Sequence, residues 1–264
     1  DRVPAKIQQA LNLGCQASES AADVVRKSEI TLIMINDDAG AHALYSGSRG
    51  IAAGCTHGTL VVEMSTLQPQ TLQKLSELLE SKGASLIGAP MMGSIPTVLE
   101  GKLFLPLGGQ AQDIERAMPI FRLISRQIKH MGAVSQAHAM KLAVNLTMAA
   151  YLQALAEGMA MGVAHGLSLQ DMIEVFAQAP TANGWLNMKS AVLQGGDSDT
   201  TLDISSLRKD VLNAVVAGGQ SGVPMVMASA IATALSGAVS NGLGGVDLAQ
   251  FPKFFRENLV QQPA

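Results

Sequence analysis

Residues 140–162 read MKLAVNLTMAAYLQALAEGMAMG. The run is apolar almost throughout, with one cation at its front, Lys141, and one amide a helical turn later, Asn145. It reads either as a membrane span or as a helix buried within a larger protein. Asn145, Gln153 and Glu157 interrupt it, and its flanks lack an interfacial aromatic belt, so a span is disfavoured. A helix apolar on every side is more often an inner helix. The pattern predicts one long helix over about 136–165, and the chain changes character there.

Ahead of that helix, strand and helix patterns alternate. Residues 4–14 read as a helix closed by Gly14. EITLIMI (29–35) and GTLVVEMS (58–65) are β-branched and apolar, as in strands buried on both faces. TLQPQTLQKLSELLESKG (66–83) has helical spacing and stops at Gly83. ASLIGAP (84–90) and KLFLPLGG (102–109) read as further strands. Short links between strand and helix predict parallel βαβ units. Behind the long helix come helical patterns at 168–178, 184–193, 206–219, 223–240 and 247–259. The expected division is an α/β domain over 1–132 and an all-helical domain over 133–264.

The 264 residues, 48% of them hydrophobic, are enough for a real core in one or two domains. A net charge of −3 without a basic tract gives no reason to expect nucleic acid or an anionic membrane as partner. Cys15 and Cys55 follow no disulfide or metal spacing, and the five histidines are scattered, so no metal site is expected. With no secretory signal, a reducing cytoplasm is the expected compartment.

Lys141 and Asn145 are four residues apart and share a helix face. An ammonium entering an apolar region must be paired, hydrated or shifted in pKa. Spacing alone leaves two readings: a lysine snorkelling to the surface, or a proton donor facing a pocket. RKD at 208–210 is a solvated helix face or a second site element. Ser65 and Thr66 end a buried strand, where α/β sheets bind ligands, or they cap the next helix. In GAPMMGS (88–94), Gly93 admits a close ligand or merely makes a turn. Trp185 lines a pocket or belongs to the core. No G-x-G-x-x-G occurs in the chain.

Taken in order, these stretches resemble the β-hydroxyacid dehydrogenase family, which includes 3-hydroxyisobutyrate dehydrogenase, tartronate semialdehyde reductase and the glyoxylate/succinic semialdehyde reductases. The family's D-M-S-T stands here as EMST (63–66), its D-A-P-V-S-G-G as GAPMMGS, and its E-G-x-L as EGKL (100–103). Its G-x-x-G-x-G-x-x-x-K-x-x-x-N stands as GAVSQAHAMKLAVN (132–145), and its K-D pair within RKDV (208–211). GLGGVDLAQFPKFF (242–255) is similar to the family's ending. The resemblance implies a Rossmann-type doubly wound parallel sheet, then an all-α domain of the 6-phosphogluconate dehydrogenase type, joined by the long helix. It also implies about thirty residues ahead of Asp1, holding a strand and Gly-rich phosphate loop.

By matching position, Lys141 would be the catalytic proton donor in a cleft between the domains, with Asn145 holding it or the substrate. Asp1, Arg2, Ile35, Asn36, Thr66 and Lys209 would contact the cofactor. Arg2 favours NADP(H) through the 2′-phosphate, whereas Asp1 suits the ribose hydroxyl of NAD(H). Met92, Gly93, Ser94 and Trp185 would meet the substrate, a small carbonyl or hydroxy compound. The family's Ser-Gly-Gly is Met92-Gly93-Ser94 here, which weakens a carboxylate grip, and two motif glycines are Ser135 and Ala137. The apolar long helix implies a homodimer. The rivals are an imine reductase, which would not need Lys141, and a non-catalytic interaction protein that keeps the fold.

Overall fold

The computed structural model describes residues 1–197 and 199–259. By packing, residues Asp1–Met92 and Glu100–His138 form one compact unit, and Gly93–Leu99 with Ala139–Ala264 form a second.

The first unit holds α1 (Pro4–Asn12), α2 (Ala21–Arg26), β1 (Ile30–Ile33), α3 (Asp38–Tyr45), α4 (Ile51–Gly54), β2 (Leu60–Glu63), α5 (Pro69–Glu80) and β3 (Ser85–Gly88). After the short α6 (Ile95–Leu99) come β4 (Leu103–Gly108), α7 (Ala111–Ile124) and β5 (Ser125–Gly132). The five strands lie in the order β1-β2-β3-β4-β5. α5 shows why the pattern folds this way. Pro69 sits in its first turn, and Leu72, Leu75 and Leu79 are buried while Gln73, Lys74 and Glu77 face water. Gly83 then takes a φ of +71°, which favours glycine as the helix terminator.

Two expectations need correction, and one strand was not foreseen. β1 is not buried on both faces: it is an edge strand of the described sheet, with Leu32 40% and Met34 62% exposed. β4 does not continue the parallel series. It pairs antiparallel with β3 at Gly88 and Gly108, and Met92 makes an antiparallel bridge to Phe104. The β3–β4 link holds only the five-residue α6 as helix. Finally, SRQIKHMG (125–132) forms β5, parallel to β4, although its polar, largely exposed residues give no buried-strand pattern.

The long helix is α8 (Val134–Ala164). Gly88 at the end of β3 lets it approach, since a Cβ there would stand 2.8 Å from the Val134 carbonyl oxygen and 2.9 Å from the His138 ring. α8 buries Leu142, Ala149, Leu152, Leu155, Ala156 and Met159, but Met140, Val144, Met161 and Val163 are 39–65% exposed, so it is not enclosed all round.

The second unit continues with α9 (Leu169–Phe176), α10 (Gly184–Leu193), α11 (Ile204–Gln220) and α12 (Val226–Ala238), then a π-helical turn at Val239–Leu243. The expected helix at 247–259 is three pieces: a 3₁₀ turn at Leu248–Gln250, α13 (Phe251–Phe254) and a π turn at Phe255–Leu259. Ala149, Leu152, Ile204, Leu207, Val211, Ile231, Leu235 and Phe251 pack into its main core. Val226–Leu243 has the length and mean hydropathy, 1.3, of a membrane span, with 28% of it buried.

Candidate active site

Two helices of the second unit build the polar cluster that contains Lys141. Lys141 and Asn145 stand on α8. α11 supplies Lys209 and Asp210, and its start is fixed by Asp203, whose carboxylate accepts from the Ser206 N–H at 2.8 Å. The Asn145 amide nitrogen donates to Asp210 Oδ2 at 2.6 Å, and both side chains are buried. The other Asp210 oxygen, Oδ1, lies 3.0 Å from the Lys209 ammonium. Arg208 is turned away, donating to Ser236 Oγ at 2.7 Å on α12.

Lys141 is half-buried, and no hydrogen bond or salt bridge holds its ammonium among the described residues. Burial draws its pKa below the ordinary lysine value. Asp210 opposes that, and Lys209 adds to it by repulsion. The structure thus brings Lys141, Asn145 and Lys209 together, and adds Asp210, which the sequence offered only as part of RKD at 208–210. The K-D pair of the RKDV match held that signal. Asn145 was expected to hold Lys141 or the substrate; its amide nitrogen donates to Asp210.

The first unit holds the expected cofactor residues at strand ends. Half-buried Ile35 and exposed Asn36 follow β1, and half-buried Thr66 follows its parallel neighbour β2. Ser65 does not cap α5, whose N-cap is Gln68. Its hydroxyl accepts from the Ile35 N–H at 2.9 Å and ties the two strand ends together. Asp1 and Arg2 are exposed ahead of α1, with Asp1 Oδ1 accepting from the Val3 N–H at 2.8 Å.

At the expected substrate stretch, the Met92 N–H and carbonyl both pair with Phe104, at 3.0 and 3.1 Å. Only its side chain is left to meet a ligand. Gly93 has a φ of +149°, and the Ser94 N–H donates to Thr97 Oγ1 at 3.3 Å. Trp185 packs edge-on against Tyr151, with ring centroids 6.2 Å apart, and contributes to the helical cores. A cavity of about 580 Å³ beside Asp197, Asn241 and Lys253 includes none of the expected site residues.

Asn36 and Thr66 offer hydrogen-bonding side chains beyond the carboxyl ends of adjacent parallel strands, where α/β sheets bind ligands, and Ile35 offers an apolar surface. These residues fit a dinucleotide. An α/β sheet domain of Rossmann type followed by a helical domain is the class that the fold defines.

Comparison with known proteins agrees. Residues 1–132 match the profile of the NAD-binding domain of 6-phosphogluconate dehydrogenase, and residues 135–255 match the profile described as NAD-binding of NADP-dependent 3-hydroxyisobutyrate dehydrogenase. The chain belongs to the β-hydroxyacid dehydrogenase family. An NAD-dependent L-serine dehydrogenase of Pseudomonas aeruginosa is 29% identical over 183 residues, 69% of this chain and 61% of that protein. A 3-hydroxyisobutyrate dehydrogenase of the same organism is 28% identical over 188 residues, 71% of this chain and 63% of that protein. The chain therefore spans less than two thirds of the length of these two relatives. A structure of Mycobacterium tuberculosis 3-hydroxyisobutyrate dehydrogenase with L-serine has a TM-score of 0.85 at 21% identity, covering 97% of this chain and 89% of that one.

Proposed function

We propose that this protein is an NAD(P)-dependent oxidoreductase acting on a small carbonyl or hydroxy compound, with Lys141 as its proton donor and acceptor. The single observation that supports this most is the Lys141 ammonium: half-buried, drawn down in pKa, and held by no hydrogen bond of its own among the described residues. Hydride chemistry is supplied by a nicotinamide cofactor when bound. In reduction, the Lys141 ammonium donates a proton to the carbonyl oxygen as that oxygen becomes an alkoxide, and its charge stabilises the developing anion. In oxidation, neutral Lys141 takes the hydroxyl proton, and burial favours that neutral form. Asp210, pinned by Asn145 and Lys209, places a fixed negative charge that opposes complete loss of the Lys141 proton.

Ile35, Asn36, Thr66 and Lys209 are the proposed cofactor contacts, and the reading divides the chain into a nucleotide domain over 1–132 and a helical substrate and dimerisation domain over 133–264. Arg2 supports NADP(H) over NAD(H), because a guanidinium suits a 2′-phosphate. The cytoplasm is the proposed compartment. Gly93, Ser94 and Trp185 join Met92 as the proposed substrate contacts.

The substrate reading turns on Met92. A thioether donates no hydrogen bond, and the Ser94 N–H already serves Thr97, so this stretch grips a carboxylate poorly. We expect the native protein to prefer carbonyl compounds without a small carboxylate. Met92→Ser should raise kcat/KM for semialdehyde acids about ten- to a hundredfold, the worth of one charge-assisted hydrogen bond. The test is NADPH and NADH oxidation against aldehydes and ketones with and without a carboxylate, and against cyclic imines. Hydride transfer to no carbonyl, or to imines alone, refutes the function. A native preference for semialdehyde acids that Met92→Ser does not improve refutes the role of Met92.

The reading includes a homodimer. Met161, Leu167, Val175, Met188, Val223, Val226 and Met227 of the helical unit are each more than half exposed. That much apolar surface favours a second copy as its cover. Sedimentation at micromolar concentration should give a dimer, and a monomer there refutes it.

A further inference from the structure

Glu63 ends β2 with no exposure at all, and among the described residues no cation forms a salt bridge with it. A carboxyl buried in this way must be satisfied by hydrogen bonds. Its Oε2 accepts from the Tyr45 hydroxyl at 2.9 Å, and its Oε1 accepts from the Ser65 N–H at 3.0 Å. The Ser65 hydroxyl oxygen in turn accepts from the Ile35 N–H at 2.9 Å. Glu63 thus holds the Ser65 backbone on one side and the Tyr45 hydroxyl on the other, and the Ser65 side chain carries the tie on to the Ile35 N–H.

This network joins three separate pieces. Tyr45 is the last residue of α3 and is fully buried, Glu63 ends β2 with Ser65 just beyond it, and Ile35 follows β1. A parallel tie runs beside it, where Asp38 Oδ1 on the first turn of α3 accepts from the Gln68 N–H at 2.9 Å. The neighbouring strands set only Ile33 and Gly88 opposite Glu63. Tyr45 and Asp38, both from α3, are titratable groups that act on it. Burial raises the Glu63 pKa, Ser65 and Tyr45 oppose the rise, and Asp38 adds to it.

We propose that Glu63 is a positioning residue for the dinucleotide: through Ser65 and Tyr45 it holds residues 35–36 and 65–66 in the relative placement that binding requires. This rests on the reading that Ile35, Asn36 and Thr66 contact the cofactor. Glu63 touches no reacting atom. Its effect falls on nucleotide affinity and not on proton transfer at Lys141.

Tyr45→Phe is the mild probe, since it removes one hydroxyl and leaves the buried ring. Glu63→Gln keeps the volume but turns an amide N–H₂ toward a donor. NADPH and NADH dissociation constants are measured by fluorescence titration on the full chain, together with kcat at saturating nucleotide, backbone amide exchange at Ile35 and Ser65, and thermal melting. Each variant is expected to weaken nucleotide binding about tenfold, the effect of stranding one buried partner. Exchange at Ile35 should accelerate while kcat at saturation holds. The double variant should lose less than the sum of the two, because both act on one network. The proposal is overturned if Tyr45→Phe and Glu63→Gln leave nucleotide affinity and Ile35 exchange at wild-type values, or if only the melting temperature falls. A wild-type chain that binds neither nucleotide defeats the functional reading instead. Ile35 exchange then still decides whether Glu63 positions the strand ends.

Discussion

Replacing Lys141 with methionine should lower turnover by about 100- to 10,000-fold, the usual worth of a placed proton donor. Nucleotide binding should stay near the wild-type value, because methionine keeps the length and apolar stem of the side chain. The pH dependence gives an independent check. Burial, the first cause, sets the Lys141 pKa below the ordinary 10.5; Asp210 opposes it and Lys209 adds to it. Reduction uses the charged form, so its kcat/KM should be level at low pH and fall as pH rises through that lowered pKa. Oxidation uses the neutral form and should rise over the same interval. Both limbs should be absent from Lys141→Met. Wild-type turnover in the variant, or the same limbs surviving in it, excludes Lys141 as the acid and base.

The largest expected loss of stability lies elsewhere, in the pair Lys189–Asp247. The Lys189 ammonium stands 2.8 Å from Asp247 Oδ2, and both side chains are 3% exposed. The same oxygen accepts from the Thr201 N–H at 2.8 Å and the Thr201 hydroxyl at 3.0 Å, and Oδ1 accepts from the Ala249 N–H at 3.0 Å. One carboxylate thus binds α10, the segment before α11 and the 3₁₀ turn. Removing one partner of a buried pair strands the other charge, so Lys189→Met should cost about 3–5 kcal/mol. For a protein of this size that lowers the melting temperature by roughly 6–20 °C. Lys189→Met combined with Asp247→Leu should recover part of the loss, since no buried charge is then left alone. Burial pushes the Asp247 carboxyl up, but Lys189 and the Thr201 and Ala249 N–H groups outweigh it and hold the pKa below the ordinary 3.8. The pair's contribution is therefore present above the unfolded pKa and lost as pH falls through the still lower folded one. Unchanged melting of Lys189→Met at neutral pH would show that the pair contributes nothing.

The strands at 30–33, 60–63, 85–88 and 103–108 and the helices at 134–164 and 184–193 were legible because each rests on local periodicity or on a short apolar run. Local signals also fixed several boundaries, as with Pro69 and Gly83 around α5. β5 was not legible, since Arg126, Gln127, Lys129 and His130 leave no apolar alternation to detect. α2, α3, α4 and α7 lie between the patterns and went unmarked, and with α3 went Tyr45. The direction of β4 was equally hidden. Nothing within KLFLPLGG says whether it will run with or against ASLIGAP; the Gly88–Gly108 pairing and the Met92–Phe104 bridge set it only in the folded chain.

The amino-acid sequence by itself determined the division of labour in this chain: an α/β half, a helical half, a long helix between them in sequence, and a lysine and an asparagine one turn apart at its front. Tertiary structure alone decided the partners. Asn145 meets Asp210 across 65 residues, and Glu63 meets Tyr45 across 18. Periodicity records only which face of an element is apolar, a property of neighbouring residues. A buried polar group is costly until it finds a partner, and that partner stands on another element whose approach only the packed core sets.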